Sequence, residues 1–387
     1  MMTIEHPQLH NALKKLIDLK QQKSAFLDQS TATNPVEYYT SSEWFARERQ
    51  AIFRALPRMM AHKSELPQAG SFLRRDMAGL PLLLTRDGDG QVHAFLNVCR
   101  HRGTRLVDDM SGCRKRFSCP YHAWTWDNLG KLIGVPHGDQ GFPDMNRDDF
   151  GLKRLPAVES HGWIWVSPVE GVALDIEAYL EGLGGDFHWF GADDLRLLHS
   201  DESVRPVNWK ILVEGGIEAY HFKIVHRKTI GPHFNDNLSS HELFGPHLRS
   251  VLPRTSITKL PQQPENDWDV RAHSNILYSV FPESQLLLLQ DHLAWIQMEP
   301  LAPDSTRVRI STLARVGEEL SWDEERHWQE NHRITSVTLD EDFAIGESIQ
   351  SGLKSGANDH VTFGRFEGAL DKFNRLVRNM VEQAERG

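Results

Sequence analysis

Two short residue pairs constrain this 387-residue chain more than anything else in it. They are Cys99-Arg-His101 and, seventeen residues later, Cys119-Pro-Tyr-His122. Each pair sets a thiol beside an imidazole at a spacing too tight for chance core packing. Together they offer two thiolates and two imidazoles, enough for one four-ligand metal site. A structural zinc ion is one possibility, but zinc ligands usually come as Cys-x2–4-Cys followed by His-x3–5-His, each pair of one residue type. Mixed pairs suit a two-iron cluster better, with both thiolates on one iron and both imidazoles on the other.

That ligand set describes a Rieske [2Fe-2S] centre. Its imidazoles raise the potential well above that of an all-thiolate ferredoxin. Such a centre accepts an electron easily and must pass it on, so the rest of the chain is expected to hold the acceptor.

The length suits two domains, and 40% hydrophobic with 25% charged residues is ordinary for a soluble globular protein. No apolar run is long enough to cross a bilayer. Residues 1–20 lack the apolar core of a signal peptide. Leu9, Leu13, Leu16 and Ile17 instead follow helical spacing and predict an amphipathic surface helix. Of three cysteines, two belong to the motif; Cys113 is a loop bystander, a disulfide framework is ruled out, and a reducing cytoplasm fits. A net charge of −10 argues against nucleic acid as partner. Locally the balance reverses, with six Lys/Arg between Asn97 and His122 against Asp108 and Asp109. That patch either steers an acidic electron donor or is a solvated loop face.

From about 41 to 160 the pattern is of short strands with turn punctuation. Leu82–Leu84 and Val92–Phe95 flank Asp87-Gly-Asp-Gly90, a hairpin signal. Beyond about 166 the character changes. Val207 to His226 reads as a helix. Asn275–Phe281, Leu286–Leu289, Leu293–Met298 and Arg307–Leu313 read as antiparallel strands broken by Pro282, Pro300 and Pro303. Trp322–Ser351 reads as helix, and Phe366, Leu370, Phe373, Val377 and Met380 mark a last one.

The electron acceptor is sought in Glu214-x3-Glu218-x2-His221-x4-His226. Glu214, Glu218 and His221 would share one helix face. His226 is off that face, so both histidines reach one metal only if the helix bulges or ends between them. Two imidazoles and a carboxylate with open positions make the facial triad of a non-haem Fe(II) oxygenase; a solvated helix face is the bland alternative. Asp342 is the third ligand expected, because Asp342, Ile345 and Ile349 fall on one helix face turned to the apolar interior. Glu347 is the second candidate, and Asp340 and Glu341 are expected to be exposed.

These residues resemble the large (alpha) subunit of Rieske non-haem iron, or ring-hydroxylating, oxygenases. The likeness runs along nearly the whole chain. It rests on Cys99-Arg-His101-Arg-Gly-Thr-Arg-Leu106, Cys119-Pro-Tyr-His-Ala-Trp-Thr-Trp126, Asn208-Trp-Lys210, Glu218-Ala-Tyr-His221 with His226, and Glu341-Asp342 followed by Gln350-Ser-Gly-Leu353. The family usually has Gly where Ala123 stands, a change too small to prevent cluster binding. The resemblance implies an α+β chain in which an all-β Rieske [2Fe-2S] domain joins a helix-grip catalytic domain with an antiparallel sheet. Residues 1–40 would be a helical segment packing on the catalytic domain, 41–165 the Rieske domain and 166–387 the catalytic domain.

It further implies that Cys99 and Cys119 hold one cluster iron and His101 and His122 the other. His221, His226 and Asp342 would hold a mononuclear Fe(II). Glu218 would be the acidic bridge to a cluster histidine, His122, of a neighbouring subunit in a cytoplasmic homotrimer. A separate flavin-containing NAD(P)H reductase, directly or through a ferredoxin, would supply electrons, and O2 would be used to hydroxylate a small organic substrate. No GxGxxG loop follows a strand, so the nicotinamide step belongs to another protein. Neither nucleic acid nor membrane is expected as a partner.

Two substrate classes stay open. One is aromatic, hydroxylated or demethylated as in aromatic hydrocarbon catabolism, and an acid of this class would want an arginine such as Arg249, Arg254 or Arg271. The other is a quaternary ammonium compound of the carnitine, choline or betaine kind, the branch in which Glu occupies the bridge position. It would want an aromatic cage, for which Tyr220, Phe222, Phe234, Tyr278, Phe281 and Trp295 are available, though such residues more often fill a core. The rivals from other classes are a Rieske electron carrier without oxygenase activity and a zinc-stabilised binding module.

Overall fold

The computed structural model describes residues 6–386. The chain divides into two compact units. One is Phe53–Tyr179; the other joins the residues before Phe53 to those from Leu180 onward. The divisions fall twelve and fourteen residues beyond the 41 and 165 expected from the sequence, the first because Ser42–Glu48 is helical and Glu48 bonds Trp209 and Lys210 of the larger unit.

The smaller unit is built of antiparallel strands. A five-stranded sheet runs in the order Arg154–Leu155, Val92–Leu96, Leu80–Arg86, Ser71–Met77, Ser111–Cys113. The Asp87–Gly90 turn joins two of these strands as expected, with Arg86 opposite Val92. Asp87 fixes it by accepting the amides of Asp89 and Gln91 at 2.9 and 2.8 Å. A three-stranded sheet, Arg116–Ser118, Thr125–Asp127, Leu132–Gly134, carries the second ligand loop at its first hairpin. Phe72, Phe117, Trp124 and Trp126 form a core that takes in Cys99 and Cys119. The two sulfurs thus lie on apolar packing, while the loops that carry them face outward.

The larger unit is a seven-stranded antiparallel sheet ordered Arg196–Arg205, Ser305–Ala314, His292–Ala302, Ser284–Leu288, Ser274–Val280, His247–Pro253, Ser240–Phe244. A 32-residue helix, Trp322–Leu353, packs on its first two strands. Ser321 starts that helix with a capping box to Glu324. The N-terminal helix Pro7–Gln21 buries Leu9, Leu13, Leu16 and Ile17 as their spacing predicts, and a last helix spans Gly368–Arg386. The edge strand Arg196–Arg205 escapes sequence reading because it is largely polar. Charged edge strands resist pairing with other chains. Pro300 does not end its strand; it pairs with Thr306 just before a register shift.

Three local expectations are corrected. The helix expected over Val207–His226 ends at Gly216. Gly215-Gly216 lowers helix propensity, and a Cβ at Gly216 would collide with the Gln285 side-chain amide. Gln285 instead approaches to donate to Val213 O at 2.9 Å. Glu214, Glu218 and His221 therefore do not share one helix face. Ile345 and Ile349 are 47% and 43% exposed, so Asp342 does not sit on a buried apolar stripe; Phe343, Gly346 and Gln350 form the buried face.

Candidate metal centres

The two loops of the smaller unit are built alike. In each, the cysteine amide donates to the carbonyl five residues on, Cys99 to Thr104 and Cys119 to Trp124, both at 2.8 Å. In each, the amide four residues on returns to the cysteine carbonyl, Gly103 to Cys99 at 2.9 Å and Ala123 to Cys119 at 3.0 Å. That closure needs a left-handed residue, met by Gly103 at φ 80° and by Ala123 at φ 55°. The cysteines are 3% exposed. Burial is the main influence raising the Cys99 thiol above its ordinary pKa. The histidines face outward, with Nδ1 of His101 and of His122 3.1 Å apart. Trp124 stacks on the His101 ring at 4.8 Å and holds it in plane.

A spacing of 3.1 Å is what two imidazoles need to share one metal at bond lengths of about 2 Å. A zinc ion would need all four ligand atoms in one sphere. Among the described residues, only His221, His226 and Asp342 bring three metal-ligating atoms within 4.8 Å of one another. The Cys and His pairs do not gather at that spacing, which suits a two-iron cluster better than a single tetrahedral ion.

In the larger unit the helix break solves the spacing of His221 and His226. A one-turn helix, Phe222–Val225, follows the break, with His221 just before it and His226 just after. The long helix supplies Asp342. His226 Nε2 and His221 Nε2 are 3.3 Å apart, and Asp342 Oδ1 lies 3.0 Å from the first and 3.3 Å from the second. These edges outline one face of a coordination sphere with bonds of about 2 Å, the 2-His-1-carboxylate arrangement that leaves other positions open. Burial works against charge on His221, but its bonds to Asp342 and Glu218 outweigh it and push the imidazole up to about 10. Burial likewise opposes ionisation of Asp342, and the two histidines overcome it to hold the carboxyl below its usual range. The site draws positive charge strongly.

Glu218 accepts the backbone amides of Tyr220 and His221 and pairs with His221 Nδ1 of its own chain. It borders a cavity of about 210 Å³ whose walls include His221, Asp342, Glu214, Glu367 and the exposed Ile345 and Ile349, with no Lys or Arg. A larger groove of about 980 Å³ lies between the strand Arg196–Arg205 and the start of the long helix and contains no triad residue. Glu347 is turned away to Arg205, 3.6 Å from it, and Asp340 also pairs with Arg205. Glu341, expected on the surface, instead meets His226 Nδ1 at 2.8 Å; its place beside Asp342 on a helix face hid that role.

Glu214 belongs to a second, buried layer. Its Oε1 accepts Tyr39 OH and Asn374 Nδ2, both at 2.7 Å. The Asn208-Trp-Lys210 motif has a structural basis here. Asn208 caps the helix by accepting Lys210 N at 3.0 Å. Trp209 Nε1 and Lys210 Nζ both donate to buried Glu48, at 2.9 and 2.6 Å. The three arginines considered for an acidic substrate have protein partners: Arg249 pairs with Asp186 and Glu242, Arg254 with Asn275, and Arg271 with Leu289 O. Of the aromatic residues considered for a cage, Tyr278, Trp295 and Phe281 are buried in the core, and Tyr220 is half exposed against Phe366.

Residues 57–156 match the Rieske [2Fe-2S] domain, and residues 192–383 match the catalytic domain of the ring hydroxylating alpha subunit. The oxygenase subunit of glycine betaine monooxygenase from Chromohalobacter salexigens is 24% identical over 359 residues, 84% of this chain and 80% of that one. The alpha subunit of biphenyl 2,3-dioxygenase from Rhodococcus jostii is 32% identical over 154 residues, 40% of this chain but only 33% of that subunit. A solved quaternary ammonium Rieske monooxygenase bound to an inhibitor superposes with a TM-score of 0.78 at 25% identity, covering 90% of this chain and 95% of that one. Matched by both of these domains in sequence order, this chain belongs to the Rieske non-haem iron oxygenases.

Proposed function

We propose that this chain is the terminal oxygenase component of a multicomponent system that hydroxylates a small organic substrate with O2. The observation that carries it is the His221–His226–Asp342 face in the same chain as a Rieske ligand set, which a simple electron carrier would not need. Cys99, Cys119, His101 and His122 would hold the [2Fe-2S] cluster, and His221, His226 and Asp342 the Fe(II). When bound, the cluster supplies single electrons and the iron supplies the centre at which O2 is used. The chain's own groups do the rest. Glu218 orients His221 through Nδ1, and Trp124 fixes the plane of His101.

Glu218 is also the proposed bridge to His122 of a neighbouring copy in a homotrimer. It borders a crevice with an acidic wall and exposed Ile345 and Ile349. The cluster loops carry basic residues and the exposed ring of Tyr121 against His122. Opposite charge and apolar rims suit a head-to-tail contact. Exposed Arg102, Lys115 and Arg116 suit an acidic surface on the electron donor, a flavin-containing NAD(P)H reductase or its ferredoxin. Three free cysteines accord with a cytoplasmic location. Among the described residues no helix is long and apolar enough to cross a membrane.

For substrate we favour a quaternary ammonium compound. Glu at the bridge position, the relatives that act on glycine betaine or other quaternary amines, and protein partners for all three candidate arginines support it. An aromatic ring is the second reading, favoured by the match to the biphenyl dioxygenase subunit. A single turnover tests both. The chemically reduced protein is exposed to O2 with a panel of quaternary amines and aromatic compounds, and products are read by mass spectrometry. A cleaved or demethylated amine supports the first reading, and a ring diol or phenol the second. No oxygenated product from protein loaded with both iron centres would refute the oxygenase assignment.

A further inference from the structure

His226 is 1% exposed. No water layer is available to orient its ring, so the protein must set which nitrogen carries the proton. Two consecutive residues of the long helix bracket the imidazole. Asp342 Oδ1 lies 3.0 Å from Nε2, and Glu341 Oε2 lies 2.8 Å from Nδ1. The same Glu341 oxygen accepts the Thr229 hydroxyl at 2.6 Å. Thr229 stands in the tight turn after His226, where Thr229 N and Gly231 N both donate to His226 O, at 3.0 and 2.9 Å. A Cβ at Gly231 would come within 2.7 Å of that carbonyl, so the turn has no slack.

We propose that Glu341, braced by Thr229, is the positioning residue that holds His226 in the tautomer able to bind metal. A carboxylate only accepts hydrogen bonds. Nδ1 therefore keeps its proton, and with metal bound the Nε2 lone pair is left to share that metal with His221 Nε2 and Asp342 Oδ1. Glu341 also ties the turn at 226–231 to the helix that delivers Asp342, so two ligands from distant parts of the chain move as one. Glu218 does the same for His221, but from the exposed side, where that histidine keeps 17% of its side-chain exposure. The buried histidine depends on Glu341 alone.

This inference rests on His221, His226 and Asp342 being the iron ligands. The test is retention of mononuclear iron by the holoprotein against graded chelator, read as iron per chain, with the Rieske visible and EPR spectra as an internal control of folding. Outer carboxylates on ligating histidines typically change metal affinity 10–100-fold. Glu341→Ala is expected to release mononuclear iron at roughly 10–100-fold lower chelator, with the Rieske signals unchanged. Glu341→Gln, which keeps an acceptor oxygen, is expected to stay within about threefold of the parent, and Thr229→Val to fall between them. Retention of iron by Glu341→Ala as in the parent overturns the proposal. So does a Glu341→Gln protein as weak as Glu341→Ala, since charge rather than tautomer would then matter. Asp342→Ala separates the two levels: if it keeps its iron, the ligand assignment fails, whereas if it loses iron while Glu341→Ala does not, only the role of Glu341 fails. Should Glu341→Ala not fold, the Glu341→Gln and Thr229→Val proteins still decide.

Discussion

Glu214→Gln should remove a loss of stability that this protein suffers as pH rises from 4.5 to about 7. Glu214 lies at the end of the helix Trp209–Gly216, with one oxygen held by Tyr39 and Asn374. Burial raises its pKa, the bonds from Asn374 and Tyr39 and the Lys210 charge lower it, and the balance leaves it raised from 4.5 to about 7. The folded state thus holds this proton more tightly than the unfolded chain does. The stabilisation is fully present below pH 4.5 and is lost as pH rises through about 7. A shift of this size corresponds to about 3 kcal/mol at most. Gln keeps the acceptor oxygen and carries no charge, so the variant lacks that loss. Thermal midpoints of parent and variant, measured from pH 5 to 8, should diverge in the variant's favour as pH rises. At roughly 2–4 °C per kcal/mol for a unit of this size, the relative gain is about 6–12 °C. All other titrating groups are common to both proteins and cancel. Parallel curves would show that Glu214 is ionised throughout and would refute the reasoning.

Three further outcomes are expected. Glu218→Ala should keep its Rieske spectrum but lose turnover, even with iron in excess to offset a weakened His221; full activity in steady-state assays would remove the bridge role. Ala123→Gly should stabilise the smaller unit by about 1 kcal/mol, because a left-handed Ala costs roughly 1–2 kcal/mol; calorimetry that shows no gain would mean the loop is not strained at φ 55°. Lys210→Met should cost about 3–5 kcal/mol in denaturant unfolding, because it leaves the Glu48 carboxylate, 0% exposed, with only two indole donors. A loss under 1 kcal/mol would mean that Glu48 takes up a proton without penalty.

The cluster loops are legible in the sequence because their proposed ligands are local: Cys99 to His101 and Cys119 to His122 span three and four residues. The proposed iron ligands are only half local. His221 and His226 stand out, and the need for a break between them is foreseeable from helical geometry. Gly215-Gly216 signals where the helix ends, whereas the close approach of Gln285 to Gly216, from a distant strand, is not foreseeable. The reason given for Asp342 does not hold, since Ile345 and Ile349 are exposed rather than buried; the carboxylate nevertheless lies 3.0 Å from His226 and 3.3 Å from His221. Glu341 is invisible in the sequence. One acidic residue among three in a row is indistinguishable from its neighbours until His226 is placed beside it. The polar edge strand Arg196–Arg205 carries too little apolar alternation to be seen at all.

The clasp behind the catalytic helix bears on how this chain matures. Tyr39 and Asn374 meet on one oxygen of Glu214, and Asn34 donates to Asn374 at 2.9 Å across 340 residues of sequence. A ribosome delivers Asn34 and Tyr39 long before Asn374. Until the helix Gly368–Arg386 has emerged, the Glu214 carboxyl lacks one of its two donors, and the long-range closure must meet its loop entropy before any contact repays it. Completion of the helix that leads into the histidine segment thereby waits for residue 374. A nascent chain stalled before residue 374 would carry a finished cluster domain and an unfinished oxygenase.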